Sequence, residues 1–257
     1  MKSMSDKKHR TTRLCGYDDE TIMIRNKSLV DDLMGKLTFT EMLIFHLSGE
    51  MPSPMQTKII DSVLVTIMEH GLIPSAIATR MTIFGAPESI QGAVAAGLLG
   101  VGDRFAGTAS ECATLLEKIV TAEQQHKKDI ARKLIQDYRQ DKKPVPGFGH
   151  PIHRKEDPRV NRLIEIAKQA GANGDYISAM YLLEECLEEN LGKKLPTNIS
   201  AAIAAVLGEA GIPGKIMRGI VLTARCGGLV GHLLEESETP VANEMWNAIE
   251  EAIKFEK

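Results

Sequence analysis

Between Pro144 and Arg159 the chain reads Pro-Val-Pro-Gly-Phe-Gly-His-Pro-Ile-His-Arg-Lys-Glu-Asp-Pro-Arg, so that the imidazole of His150 is followed by the guanidinium groups of Arg154 and Arg159. Histidine is the one side chain whose unperturbed pKa lies near neutrality, and arginine presents a planar fork of donors that fits carboxylate or phosphate. Together they suit an anionic substrate that must exchange a proton. Pro144, Pro146, Pro151 and Pro158 restrict φ, while Gly147 and Gly149 let the backbone turn tightly or approach a ligand without a Cβ in the way. Composition alone would also allow a surface Pro/Gly loop with a solvated basic cluster.

Two further positions carry the same types of group. His70 follows Glu69 just before Gly71, where a lone histidine commonly caps a helix. Arg225 stands among the small residues Ala224, Cys226, Gly227 and Gly228, and an arginine buried there needs a partner, for which a ligand would serve. Cys15, Cys112, Cys186 and Cys226 are far apart and have no paired metal spacing, which points to a reducing, cytoplasmic setting without a zinc site. Gly100, Gly102 and Gly107 lack the spacing and the preceding strand of a dinucleotide fingerprint.

The elements that must bring these residues together read as helices. Aromatics are only 4% of 257 residues whereas Ala, Leu, Ile and Met abound, and 43% hydrophobic content can fill one large domain or a large and a small one. Gly16–Asn26 alternates as a brief strand or extended arm. Thr38 and Glu41 form a capping-box pattern opening a helix that Gly49 and Pro52 close. Helical spacing then predicts elements over 56–70, 75–84, 87–99, 111–122, a charged stretch at 123–143, 160–170, 176–191, 199–210 and 215–236. Thr239 and Pro240 suit the cap and first turn of a last helix. A net charge of −3 gives no bias toward nucleic acid or membrane, and the apolar run Ile199–Leu207 is too short and alanine-rich to span a bilayer. Met1–Arg13 is polar and basic and shows no secretory signal.

Gly147-Phe-Gly-His-Pro151 followed by Arg154-Lys-x-Asp-Pro-Arg159 resembles the signature loop of the citrate synthase superfamily, which includes citryl-CoA lyases and the C-terminal module of ATP-citrate lyase. Leu47-Ser-Gly-Glu-Met-Pro52, Glu69-His70-Gly-Leu and Ala224-Arg-Cys-Gly-Gly-Leu-Val-Gly-His232 resemble other segments of that family, so the likeness extends over nearly the whole chain. Gly102-Asp-Arg-Phe-Ala-Gly107 resembles the lyase branch, because citrate synthases usually carry a histidine where this chain has Phe105. The resemblance implies an all-α, citrate synthase-like fold, with a large helical domain from 1–107 and 198–257, a small one from 108–197, and the site between them. It makes His150 the acid/base at the substrate hydroxyl or carbonyl and gives His70 the keto- or hydroxy-acid part of the substrate. Arg159 and Arg225 become carboxylate clamps. Arg154 would face the phosphates of coenzyme A, with Pro146, Gly147, Phe148 and Gly149 closing over its adenine.

Two departures shape the expectation. Leu195-Pro-Thr-Asn-Ile-Ser200 resembles a family segment ending in the catalytic aspartate, yet Ser200 occupies that position, and a serine hydroxyl is a far weaker acid or base near neutral pH. No arginine follows Arg225, so the family's usual third clamp is missing. The implied activity is retro-aldol cleavage of a 3-hydroxy-3-carboxy-acyl-CoA, citryl-CoA or a relative, to acetyl-CoA and a 2-oxo acid such as oxaloacetate. Coenzyme A thioester would be substrate rather than resident cofactor, no metal is implied, and a homodimer or higher homo-oligomer is expected. Alternatives are a catalytically degenerate CoA or acyl-CoA binder and a condensing synthase.

Overall fold

The computed structural model describes residues 11–103, 107–149 and 157–256. These fall into two compact units divided after Thr57. In the first, β1 (Cys15–Tyr17), β2 (Ile22–Ile24) and β3 (Lys27–Ser28) form an antiparallel sheet in that order, with Gly16 opposite Met23 and Ile24 opposite Lys27. The alternating residues of the expected arm are thus paired into a small meander. A π-type turn at Leu29–Leu33 leads to α1 (Phe39–Ser48). Thr38 and Glu41 complete the reciprocal cap that the sequence spells: the Glu41 amide donates to Thr38 Oγ1 and the Thr38 amide to Glu41 Oε2. Gly49 ends α1 at φ +82°, and the Arg25 guanidinium satisfies the last-turn carbonyls of His46 and Leu47 at 2.6–3.1 Å.

From Pro54–Ile67 (α2) the chain passes into the second unit, which is helical throughout its described elements. These are α3 (Pro74–Gly85), α4 (Ile90–Leu99), α5 (Thr108–Val120), α6 (Lys127–Gln140), α7 (Pro158–Gln169), α8 (Asp175–Leu191), α9 (Ile199–Glu209), α10 (Gly214–Glu238) and α11 (Ala242–Ala252). The centre of one group is α9, whose residues 199 and 201–208 are all buried, and α5, α7 and α8 pack against it. A helix apolar on every side has no solvent face to offer, and the alanines at 201, 202, 204 and 205 let several neighbours approach closely. A second group sets α10 and α11 against α3 and α4. Glycine makes that approach possible, because a Cβ at Gly97 would strike the Thr79 hydroxyl and, at 2.7 Å, Leu229 Cδ1.

Some boundaries depart from the sequence expectation. Pro87 supplies a turn in which the Ser89 amide donates to Ala86 O at 3.0 Å, so α4 starts at Ile90 rather than at Pro87. The charged stretch 123–143 opens with a 3₁₀ turn, Gln124–His126, before α6. Its Ala131, Leu134 and Ile135 face inward, while Lys128 and Arg132 reach Glu185 and Glu189 of α8 on the solvent side at 2.7–3.0 Å. The last helix is not capped by Thr239. Instead Glu236, from α10, accepts the amides of Val241 and Ala242, both at 2.9 Å, so a carboxylate from another helix occupies the positive end of α11. No single helix among the described residues is long and apolar enough to cross a membrane.

Candidate active site

The Pro/Gly loop is strapped to the segment that leads into α9. Phe148 and Thr197 form an antiparallel bridge, the Gly149 amide donates to Pro196 O at 2.8 Å, and the Asn198 amide donates to Gly147 O at 2.9 Å. Both glycines have the left-handed backbone that favours this residue, φ +91° at 147 and +86° at 149. Gly147 is constrained twice over, since a Cβ there would lie 2.7 Å from Ala201 Cβ and 2.9 Å from Cys112 Sγ. Val145, Pro146, Gly147 and Phe148 are buried, so this part of the loop is a packed element rather than a solvated tether.

Asn198 joins loop and helix with one side chain. Its Nδ2 donates to Gly149 O at 2.8 Å while its Oδ1 accepts the Ser200 amide at 3.0 Å, capping α9. Ser200 thereby sits in the first turn of α9, and its Oγ accepts from the Thr108 hydroxyl, the first residue of α5, at 3.0 Å. The loop up to Gly149 and the Ser200 segment are therefore neighbours. His150, Arg154 and Phe105 lie outside the described residues.

Arg159 lies in the first turn of α7, which Pro158 begins and Asp157 caps. Asp157 is fully buried and accepts three bonds from Arg159: its amide at 3.1 Å, Nε at 3.0 Å and a terminal nitrogen at 2.8 Å. The guanidinium is thus fixed by a forked carboxylate pair. Arg225 lies half-buried in the middle of α10. Burial pulls its pKa down, the charge of Glu69 opposes that shift, and the charge of Arg159 adds to it. Arg225 therefore feels the charge of both Glu69 and Arg159, the latter 66 positions away in the chain.

His70 is exposed beyond the end of α2, and its backbone is tied by Glu69, whose Oε1 accepts the amides of His70 at 2.7 Å and Gly71 at 2.6 Å. Glu69 also meets His232 Nε2 at 3.2 Å. Beyond that ring, Arg80 Nε donates to His232 Nδ1 at 3.0 Å, one terminal nitrogen of Arg80 donates to Glu236 at 2.7 Å, and the other pairs with Glu235. Arg80 is only 1% exposed, so its charge depends on these partners. A cleft of about 550 Å³ lies beside this network, with Glu69, Leu72, His232 and Glu235 in its wall. A much smaller cavity connects Arg225, Glu69, His232 and Ser75.

Asp157, Asn198, Glu69, Arg80 and His232 escape assignment when the sequence is read alone. Asp157 and Asn198 do carry a local signal, because each is a good capping residue placed directly before a helix. Arg80 is signalled by a charge one residue after Thr79 in an otherwise apolar helix, but its three partners lie 152–156 positions away. Among the described residues no cluster of three or more His, Cys, Asp or Glu side chains could hold a metal ion.

Residues 15–246 match the family model for the citrate synthase C-terminal domain. Citrate synthase of Heyndrickxia coagulans is 27% identical over 207 residues, 79% of this chain and 53% of that protein. The chain spans about half the length of the curated relatives it matches. Citryl-CoA lyase from Hydrogenobacter thermophilus superposes with a TM-score of 0.85 at 28% identity, covering 96% of this chain and 94% of that one. ATP citrate lyase from Methanothrix soehngenii, in complex with citrate and coenzyme A, has the same fold at 18% identity, with a TM-score of 0.78 over 96% of this chain and 42% of that one. With the matched model covering most of its length and the helical architecture in agreement, this chain belongs to the citrate synthase family.

Proposed function

We propose that this protein is a citryl-CoA lyase-like enzyme that cleaves a 3-hydroxy-3-carboxy-acyl-CoA to acetyl-CoA and a 2-oxo acid. The observation that carries this reading is the likeness to the Hydrogenobacter citryl-CoA lyase, with a TM-score of 0.85 over 96% of this chain. In the proposed reaction His150 accepts the proton of the substrate hydroxyl as the C–C bond breaks. The bonding pair passes to the thioester enolate, and the former carbinol carbon becomes the keto carbon. His70 polarises that forming carbonyl, while Arg159 and Arg225 hold carboxylate. The enolate then takes a proton at carbon from a water held by Ser200, whose Oγ is already engaged by Thr108 and which itself is too weak an acid to serve alone.

Arg154 would meet the coenzyme A phosphates, and the strapped segment Pro146–Gly149 would border the adenine. The small part 108–197 would close on the remainder over the thioester, with α9 as the common wall against which α5, α7 and α8 rest. A citramalyl-type thioester, with fewer carboxylates, suits a chain that has no arginine after Arg225.

Purified protein incubated with citryl-CoA should release a 2-oxo acid, read by a coupled NADH assay, and His150→Ala should lower turnover by about 10²- to 10⁴-fold. The relatives named citrate synthase favour a second reading, condensation of acetyl-CoA with a 2-oxo acid, which would appear instead as release of free thiol. Tight coenzyme A binding in calorimetry, with no turnover in either direction, would replace both with a binding role. A rise of orders of magnitude in lyase turnover for Ser200→Asp would mean that another reaction is the natural one.

A further inference from the structure

We infer that Glu69 and His232 are positioning residues: they form a relay that transmits the rigidity of the buried Arg80 ion pair to the backbone of His70 and Gly71, beside Arg225. The hydrogen-bond polarity fixes how the relay works. Arg80 Nε can only donate, so His232 Nδ1, 3.0 Å away, must accept, and the ring proton sits on Nε2. Nε2 therefore donates toward Glu69, whose two oxygens both lie 3.2 Å from it. Glu69 in turn receives the amides of His70 and Gly71. The other end of the chain is anchored just as firmly, because Glu236 accepts from Arg80 and from the first amides of α11. One continuous line of polar contacts thus runs from α11 through α10 and α3 to the turn after α2.

Packing agrees with this role. A Cβ on Gly228 would come within 3.1 Å of the Met68 carbonyl carbon and 3.3 Å of Glu69, so α10 is pressed against the very residues that precede His70. Gly71 turns the chain at φ +71° directly after His70, and the two amides that Glu69 holds flank the His70 Cα. Glu69 additionally places a negative charge within reach of the half-buried Arg225, offsetting the cost of its burial. The inference depends on the proposed function only for the identity of what Arg225 holds.

Two arms separate the relay from the function. Hydrogen–deuterium exchange over residues 68–72, with no ligand present, should be at least about tenfold faster in His232→Leu than in the wild type. His232→Gln keeps one acceptor and one donor, and should stay within about threefold of it. Equal exchange in wild type and His232→Leu, with unfolding temperatures showing both folded, overturns the relay whatever the substrate. Should neither His232 variant fold, Glu69→Ala replaces them: accelerated exchange of the same segment is expected, and unchanged exchange overturns the inference. Calorimetry with citrate forms the second arm, in which His232→Leu should weaken binding at least tenfold and His232→Gln should leave it near wild type. If the wild type binds no citrate, the carboxylate reading fails while the exchange result still judges the relay.

Discussion

At Arg225 the guanidinium is half out of water, with the positive charge of Arg159 adding to the burial that already lowers its pKa. Glu69 offsets part of that cost, and an incoming carboxylate would offset more of it, so a half-buried guanidinium favours an anion. Lysine keeps the charge but not the planar fork. Arg225→Lys should raise KM for the acyl-CoA substrate roughly 10- to 100-fold, the equivalent of about 1.5–3 kcal/mol for a charged hydrogen bond, with a smaller change in KM for acyl chains lacking the carboxylate. Thiol chemistry gives a second residue-scale expectation. Cys112 is fully buried beside Gly147, and burial pushes its thiol up to about 12, so almost no thiolate exists at pH 8. Iodoacetamide at pH 8 should label the exposed Cys15 readily and reach Cys112 only after denaturant is added, as peptide mass mapping would register.

Among the elements, the strap between the Pro/Gly loop and α9 depends on one side chain doing two jobs. Asn198→Ala removes the cap of α9 and the donor to Gly149 O together, and should cost about 1–2 kcal/mol in urea unfolding. Asn198→Asp keeps the acceptor for the Ser200 amide but sets a carboxylate oxygen against a carbonyl. It should recover the cap while leaving turnover depressed, separating stability from loop placement. This strap also shows how far the sequence can be read. The loop, its glycines and the helix starting at Ile199 are legible because turn chemistry and apolar spacing are local. Thr38 and Glu41 reveal their capping box for the same reason, three residues apart. The partnership of Gly149 with Asn198 spans 49 positions, and that of Arg80 with Glu236 spans 156, so neither leaves a periodic trace. The start of α11 misleads for a related reason: Thr239 has the right chemistry for a cap, but Glu236 takes the amides while its other oxygen holds Arg80. The candidate clamps Arg159 and Arg225 were visible as residue types, whereas the Asp157 and Glu69 carboxylates that orient and balance them required the folded chain.

Over the whole molecule the carboxylates link acidity to stability. Burial alone would raise the pKa of Glu69 and Glu236, but amide donors together with His232 or Arg80 outweigh it and hold both below their ordinary value of 4.5. Hydrogen bonding from Thr38 lowers Glu41 likewise. The unfolded chain binds these protons at higher pH than the folded one, so their stabilisation is complete above about 4.5 and fades as pH drops through the folded values. Thermal midpoints should therefore hold between neutrality and about pH 4.5 and fall as the pH drops further. Assembly is the other question at this scale. Helices α3 and α11 pack together yet leave Phe84 43%, Trp246 50% and Ile249 52% exposed, and Phe84 and Trp246 meet edge to face at 6.3 Å. Apolar side chains clustered in this way mark an interaction surface more often than scattered ones do. We propose that a second copy of the chain covers it, in keeping with the expected homodimer. A two-fold interface repeats each contact, so one substitution acts twice. Light scattering at micromolar concentration should give twice the mass of the chain, and Trp246→Glu should halve it while leaving the helical circular dichroism unchanged. A wild-type mass of one chain across that concentration range would rule the dimer out.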